Sequence, residues 1–479
     1  MREYKTLAKN TFLFSIGQAS STIIGFFMVM VYTRYLTPSE YGLVDIVNTT
    51  ISLVIPIITL QVSDAVFRFV MDPEADKQKI ISTSTLLAIG STAIFSLISA
   101  YIVTKRLSED IAIMLYLLIL FNALNGIQTA FVKGIKRIKV LVTADVLASI
   151  VMAVTAIVCL VKLNLGVRGY FIAVLTSWGF KWAFLFFKGG VGKYLTPSVD
   201  RELAKKMLGY SIFLVPNMVM WWVVNVSDRY LLAYFLGMDA VGIYAVSYKI
   251  PQILRIPTTI FYQAWQISAV ESYKSQDRDK FYTEVFNVYL ALLMISLAIL
   301  LPLLKPLSSI LFSESFYESW KYAPFLLFGT VFSALASFSG TAYIASKESK
   351  GALLTSSIAA FVNAAINVVL IPVWGIYAAA FSTFVAYFTM WIARMKHIKR
   401  FVNINIDLKK LAGSLLIEIP QMGSLYLSLS PHLFVIVNVT AISAIIWLFR
   451  IEVKKLLKLG IHLSLDIYHR ILSKEKQEK

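Results

Sequence analysis

Tyr244, Tyr248, Gln252, Arg255, Thr259, Tyr262 and Gln266 punctuate an otherwise apolar stretch at intervals of three or four residues. That spacing puts all of them on one face of a helix. Arginine offers a planar fork of donors that matches phosphate oxygens. Tyrosine and tryptophan faces suit the C–H faces of sugar rings, while Gln and Asn side chains suit their hydroxyls. The preceding apolar stretch adds Asn217, Trp221, Asn225 and Asp228 at similar spacing. Asp45, Asp64, Arg68, Lys181, Arg229, Lys249 and Glu418 are the other ionisable groups set in apolar surroundings. Each costs about 2.5–3.5 kcal/mol at mid-membrane on insertion scales, so such groups usually face a wet interior. A polar row is also what interhelical hydrogen bonding in a bundle core produces; an arginine within it favours a water-filled cavity. Arg255, Lys249, Arg68 and Lys181 outnumber the acids near them, which points to an anionic cargo. Asp64 and Arg68 stand four residues apart and can pair across one turn. Asp64 is then either a structural partner or the acid that exchanges a coupling ion.

The elements that must position these groups are membrane spans. The chain has 479 residues, 58% hydrophobic and 15% charged, with mean hydropathy +0.72. Soluble domains are about 45–50% apolar and about 25% charged. Apolar stretches lie near 10–33, 42–67, 80–103, 111–132, 140–161, 166–187, 209–236, 242–268, 283–304, 322–345, 351–372, 375–394, 411–430 and 432–450. Roughly 20 residues at 1.5 Å rise cross a hydrocarbon core of about 30 Å. The reading is an all-α polytopic membrane protein of about fourteen transmembrane helices, the thirteenth weakest because Glu418 and Pro420 interrupt it. The first stretch is too long for a cleaved signal peptide and no small-residue cleavage pattern precedes Thr37–Pro38, so it is expected to stay a helix.

The net charge of +18 raises the question of nucleic acid. Its placement decides against that. Gaps after odd-numbered spans are poor in basic residues, with only Arg34 in the first and none in 237–241 or 373–374. The N-terminus and the gaps after even-numbered spans are rich in them, as in Lys133, Lys136, Arg137 and Lys139, and again from Arg394 to Lys410. A basic surface sorted by membrane side reports topology, and both termini are expected in the cytoplasm, with the chain in the cytoplasmic (inner) membrane.

One turn is written twice. RYLTPSEYG (Arg34–Gly42) and YFLGMDAVG (Tyr234–Gly242) each place a leucine, a short turn with an acid, and a glycine that opens an even-numbered span, at a shift of 200 residues. Thr129–Ala148 also lies over Thr341–Ala360, with Thr129/Thr341, Ala130/Ala342, Leu141/Leu353, Thr143/Thr355 and Ala148/Ala360 identical. The pattern predicts a duplicated six-helix unit, giving two parallel lobes around a central cavity. The expected division is an N-lobe at 1–187, a cytoplasmic linker at 188–208, a second lobe at 209–394, two further helices at 395–450 and a basic amphipathic tail at 451–479 lying on the cytoplasmic membrane surface.

Enzyme chemistry finds little support. FKGGVGKY (Phe187–Tyr194) imitates a phosphate loop, but Phe187 replaces its first glycine and Tyr194 its Ser/Thr. Cys159 sits alone in mid-span, and His397, His432, His462 and His469 show no ligand spacing, so neither a disulfide nor a metal is expected. No cofactor is expected either. Energy has to come from a proton or sodium gradient or from the cargo itself.

RYLTPSEYG, SDRYLLAYFLGMDAVGIYAVSYKI (Ser227–Ile250) and above all NVVLIPVWGIYAAAFSTFVAY (Asn367–Tyr387) resemble the polysaccharide transport family, the O-antigen type flippases of the multidrug/oligosaccharidyl-lipid/polysaccharide exporter superfamily. The resemblance covers essentially the whole chain. It implies two lobes around an electropositive cavity and translocation of an undecaprenyl-diphosphate-linked oligosaccharide by alternating access. Carried onto this chain, the pyrophosphate falls to Arg255 and Arg68, with Lys249 beside them. Membrane lipids are the expected surroundings, and the basic tail is read as a place where a partner such as a polysaccharide polymerase would bind. Three other readings stand beside it: a multidrug cation antiporter, which needs an acidic cavity where span one offers only Gln18 and Ser21; a lipid II flippase; and a non-transporting envelope assembly protein.

Overall fold

The computed structural model describes residues 21–455 except 73, 107 and 347. The first half of span one with Gln18, and the tail from 456 onward, lie outside the described residues, so the expected surface helix does too. Every described element is helical: α1 (21–35), α2 (Pro38–Ile58), α3 (Val62–Val70), α4 (Lys77–Arg106), α5 (Glu109–Gly134), α6 (Ile138–Ile157), α7 (Gly166–Phe187), α8 (Arg201–Ser211), α9 (Val215–Leu236), α10 (Met238–Ser247), α11 (Pro251–Ser272), α12 (Arg278–Leu311), α13 (Glu314–Tyr317), α14 (Ala323–Ser346), α15 (Ser349–Trp374), α16 (Ile376–Ile398), α17 (Leu408–Ser424) and α18 (Pro431–Leu448). Each of the fourteen apolar stretches carries helix. Among the described residues ten helices are long and apolar enough to cross a membrane, or eleven if the bent pair Arg201–Met220 and Asn225–Leu236 is one span. The protein is an all-α, multi-pass membrane protein. Large apolar side chains such as Leu97, Phe213 and Val373, 79%, 81% and 77% exposed, are what lipid would cover.

Local chemistry sets the helix ends. Thr37 caps α2 through a reciprocal pair, Thr37 Oγ1 accepting from Glu40 N at 3.2 Å and Thr37 N donating to Glu40 Oε2 at 2.8 Å, with Pro38 at the first helical position. The second copy of the turn uses Gly237 at φ +85° in place of the capping threonine. Asp200 caps α8 by accepting from Leu203 N at 3.0 Å and stands 3.3 Å from Lys79 Nζ. The backbone bond from Leu203 first, then Lys79, holds its carboxyl below the usual carboxylate range.

By contact the chain forms two compact units, one of Met1–Lys249, Leu311–Ser319 and Ala364–Ala379, the other of Ile250–Ile310, Trp320–Asn363 and Ala380–Lys479. The division runs at 249/250, inside span eight, and follows a different line from the repeat-based lobes. In the first unit Val62, Val66, Ile81, Phe131, Leu185, Val191 and Met207 form a buried apolar core. In the second, Trp265 stacks on Phe338 at 4.2 Å and donates Nε1–H to Thr341 Oγ1 at 2.8 Å, joining α11 to α14.

The two copies of the repeated turn meet each other within the first unit. A Cβ added at Gly42 would overlap the carbonyl oxygen of Met238, and one added at Gly242 would overlap that of Pro38. Pro38 and Met238, like Gly42 and Gly242, are separated by 200 residues, so each helix start sees the same contact from the other side. Only glycine permits backbones this close. The turn is repeated because each copy is the other's partner.

Candidate functional site: an ionic junction and two exposed arginines

The α2–α10 crossing brings α9 with it. Trp222 Nε1 donates to Thr49 O at 2.9 Å, and the Thr50 and Tyr230 hydroxyls bond at 2.5 Å. Below these, Arg229 Nε donates to Asp45 Oδ2 at 2.6 Å and Nη1 to Asp228 Oδ1 at 3.3 Å and to Asn225 O at 3.0 Å. Tyr244, fully buried, donates its hydroxyl to Asp228 Oδ2. The guanidinium carbon also lies 5.0 Å from the centre of the Tyr248 ring. Asp228 is 2% exposed, so a charge there needs the neighbours it has. Lys249 is within electrostatic reach of Asp45, and Asn48 Nδ2 donates to the Tyr170 hydroxyl at 3.0 Å nearby.

This arrangement redistributes the residues singled out from the sequence. The row from Tyr244 to Gln266 is not one helix: the chain turns at 248–250, leaving Tyr244, Tyr248 and Lys249 in the first unit and Gln252, Arg255, Tyr262 and Gln266 in the second. Pro251, which lacks an N–H, begins the new helix. Tyr244 is a fully buried core residue bonded to an acid. Asn225 lends a backbone carbonyl to Arg229. The side chains of Asn217 and Trp221 lie outside the described residues. Lys181 is taken by Asp145 at 2.7 Å, which removes it from the count of open cations.

Asp64 and Arg68 share the short helix α3, and both are exposed. They form no ion pair; Asp64 Oδ2 instead accepts from Gln61 Nε2 at 3.2 Å. Leu60 and Gln61, at φ 47° and 55°, break α2 from α3 just before this helix.

Arg255 is the clearest opening. It is exposed on α11 and no carboxylate pairs with it among the described residues. Thr259 and Gln266 continue its face; Ile260 and Ile267, 47% and 45% exposed, sit one residue on, about 100° around the helix. Gln266 Nε2 donates to the Tyr262 hydroxyl at 2.8 Å.

Arg394, which the sequence places among the basic residues of a cytoplasmic gap, is buried at 6% exposure. It donates to Ala336 O at 2.7 Å, Ser356 Oγ at 3.1 Å and Thr355 Oγ1 at 3.4 Å, tying α14, α15 and α16. Gly340 makes room for it. The apolar run Met390–Ala393 before it was the one available signal. Among the described residues no cluster of His, Cys, Asp and Glu could hold a metal.

A search of curated proteins gave no match. Among solved structures the fold is similar to the lipid II flippase MurJ in an inward closed conformation, with TM-score 0.69 and 15% identity over 93% of this chain and all of that one. It is also similar to an inward-facing multidrug resistance MATE family transporter of the MOP superfamily, with TM-score 0.63 and 12% identity over 80% of this chain and 95% of that one. A third likeness, TM-score 0.58 and 13% identity over 83% and 96% of the chains, is to a MOP superfamily transporter from Pyrococcus furiosus described as having a binding pocket of reverse polarity. Identities this low establish a common fold, and the sequence itself goes further: residues 7–265, more than half of the chain, match the family model described as polysaccharide biosynthesis protein, and the chain belongs to that family.

Proposed function

We propose that the protein is a flippase, not an enzyme, that moves an undecaprenyl-diphosphate-linked oligosaccharide across the cytoplasmic membrane by alternating access, with both termini cytoplasmic. The cargo is a repeat unit of O-antigen, capsule or exopolysaccharide. The observation that carries this reading is Arg255. An arginine in an apolar span needs a carboxylate, water or an anionic ligand, and Arg229, Arg394 and Lys181 each have protein partners while Arg255 has no acid beside it. Arg68, exposed on the short helix α3 just past the second apolar stretch, is the second cation offered to the cargo. A guanidinium left open on a polar, hydroxyl-bearing face suits a pyrophosphate bearing a sugar. Family membership supports the polysaccharide part of the claim. A lipid II flippase is the second reading, favoured by the likeness to MurJ over 93% of this chain; it shares the pyrophosphate and differs in the sugar.

The test is a substitution series at Arg255 read as export per molecule of folded protein. Arg255→Ala loses a charge-assisted contact worth about 1.5–3 kcal/mol, slowing export roughly ten- to a hundredfold where binding limits the rate. Arg255→Lys keeps part of the rate because the charge survives without the fork. Arg255→Glu falls below Ala, since repulsion is added. Equal export by Ala and Glu would remove Arg255 from the site, and improved export by Glu would revive a cationic drug as cargo. Offering purified protein in liposomes both a lipid-linked repeat unit and lipid II separates the two flippase readings.

A further inference from the structure

Glu418 lies about 15 Å along α17 from Leu408, taking 1.5 Å per residue. It is fully buried, and neither carboxyl oxygen has a hydrogen-bond partner among the described residues. One turn further, on the same face, stands Gln421, 1% exposed. Its Nε2 donates to Ala298 O on α12 at 2.8 Å and to Asn438 Oδ1 on α18 at 3.1 Å, and Asn438 Nδ2 donates to Phe434 O at 2.8 Å. The two carbonyls can only accept, so both amides are held in one orientation. That leaves Gln421 Oε1 as a buried acceptor with no donor.

A carboxylate cannot repair this, because it brings more acceptors and a charge. Among the described residues no cation pairs with it either. From α12, Glu284 lies 3.9 Å from Lys455 and Lys305 sits over the Trp320 ring at 4.5 Å. On α17 itself Lys410 is held by Glu452 at 2.6 Å, and His432 belongs to the first turn of α18. An unpaired buried carboxylate is costly. A neutral carboxylic acid has one O–H to give, and Gln421 Oε1 is the acceptor lacking a donor.

We propose that Glu418 is a proton-binding site: the carboxylate takes up one proton to become the acid, donates that O–H to Gln421 Oε1, and exchanges the proton with water during the transport cycle. The exchange during transport rests on the flippase reading above; the proton site does not. Because Gln421 also bonds α12 and α18, losing the proton sets a negative charge against a bare acceptor at the point where three helices meet. Protonation and the packing of α17 are thereby linked.

Infrared spectra of the purified full-length protein in lipid test the site directly. The expected result is a neutral-carboxyl C=O band at neutral pH that shifts in D2O, disappears in Glu418→Gln, and changes frequency in Gln421→Leu. Absence of such a band, or its survival in Glu418→Gln, overturns the proposal; so does a band that never responds to D2O, since that proton does not exchange. In liposomes, Glu418→Gln is locked neutral and is expected to lose at least about tenfold of the pH-gradient-stimulated part of transport while folding normally. Full gradient stimulation in Glu418→Gln overturns the transport role. If the wild-type protein flips no lipid-linked oligosaccharide, the flippase reading fails, and the infrared band still decides the proton site.

Discussion

Arg229 and Arg255 are both arginines set in apolar stretches of the sequence, and their environments give them opposite predictions. Arg229 neutralises the buried Asp228 and the partly exposed Asp45, so Arg229→Gln leaves Asp228 a buried acid without its cation and is expected to cost about 3–5 kcal/mol. Asp45→Asn is expected to cost much less, about 1.5 kcal/mol, because Asp228 still pairs with the arginine. Thermal unfolding of the purified variants in detergent checks the order. Asp64→Asn removes an exposed carboxylate that pairs with no cation among the described residues, and its stability is expected to change by less than about 0.5 kcal/mol in the same measurement.

Between elements, the α2–α10 crossing is the contact with least room to change. Gly42→Ala and Gly242→Ala each set a methyl group against a backbone carbonyl, which cannot swing aside as a side chain can. Each is expected to destabilise by about 1–3 kcal/mol. The double variant is expected to fall short of the sum, because one separation of the helices relieves both clashes. Gly90 on α4 has nothing within 4 Å of its added Cβ, so Gly90→Ala is expected to be neutral or to stabilise by up to about 1 kcal/mol through helix propensity. Measuring the three side by side separates close approach from a general intolerance of larger residues.

For the molecule in the membrane, the alternation of basic gaps predicts sidedness. In a Cys159→Ala background, single cysteines at Ser39, Asp239 and Ser315 are expected to label from outside intact cells, and those at Lys136 and Ser275 are not. Labelling at Lys136 from outside would overturn both the topology and the parallel lobes that follow from a six-helix repeat. The chosen background removes a buried thiol, so it leaves the reagent no native target.

The sequence by itself determined that the chain is helical and membrane-spanning, where each apolar stretch lies, and that Gly42 and Gly242 are copies. These properties are written in one dimension, as hydropathy over about 20 residues and as similarity at a constant shift. Arg255 was legible for the same reason, since its helix face is a matter of spacing. Which charges are occupied was decided only in three dimensions: Asp45 and Arg229 are 184 residues apart, and no local pattern announces that one will neutralise the other. Arg394 read as a loop cation until α14 and α15 closed over it, and Asp64 and Arg68, at ideal helical spacing, did not pair; Asp64 accepts from Gln61 instead. An isolated ionisable residue in a span has the same sequence signature whether it faces a cargo, a buried partner or an empty acceptor. Burial and hydrogen-bond geometry separate those cases, because the energy of a charge depends on what surrounds it and not on its neighbours along the chain.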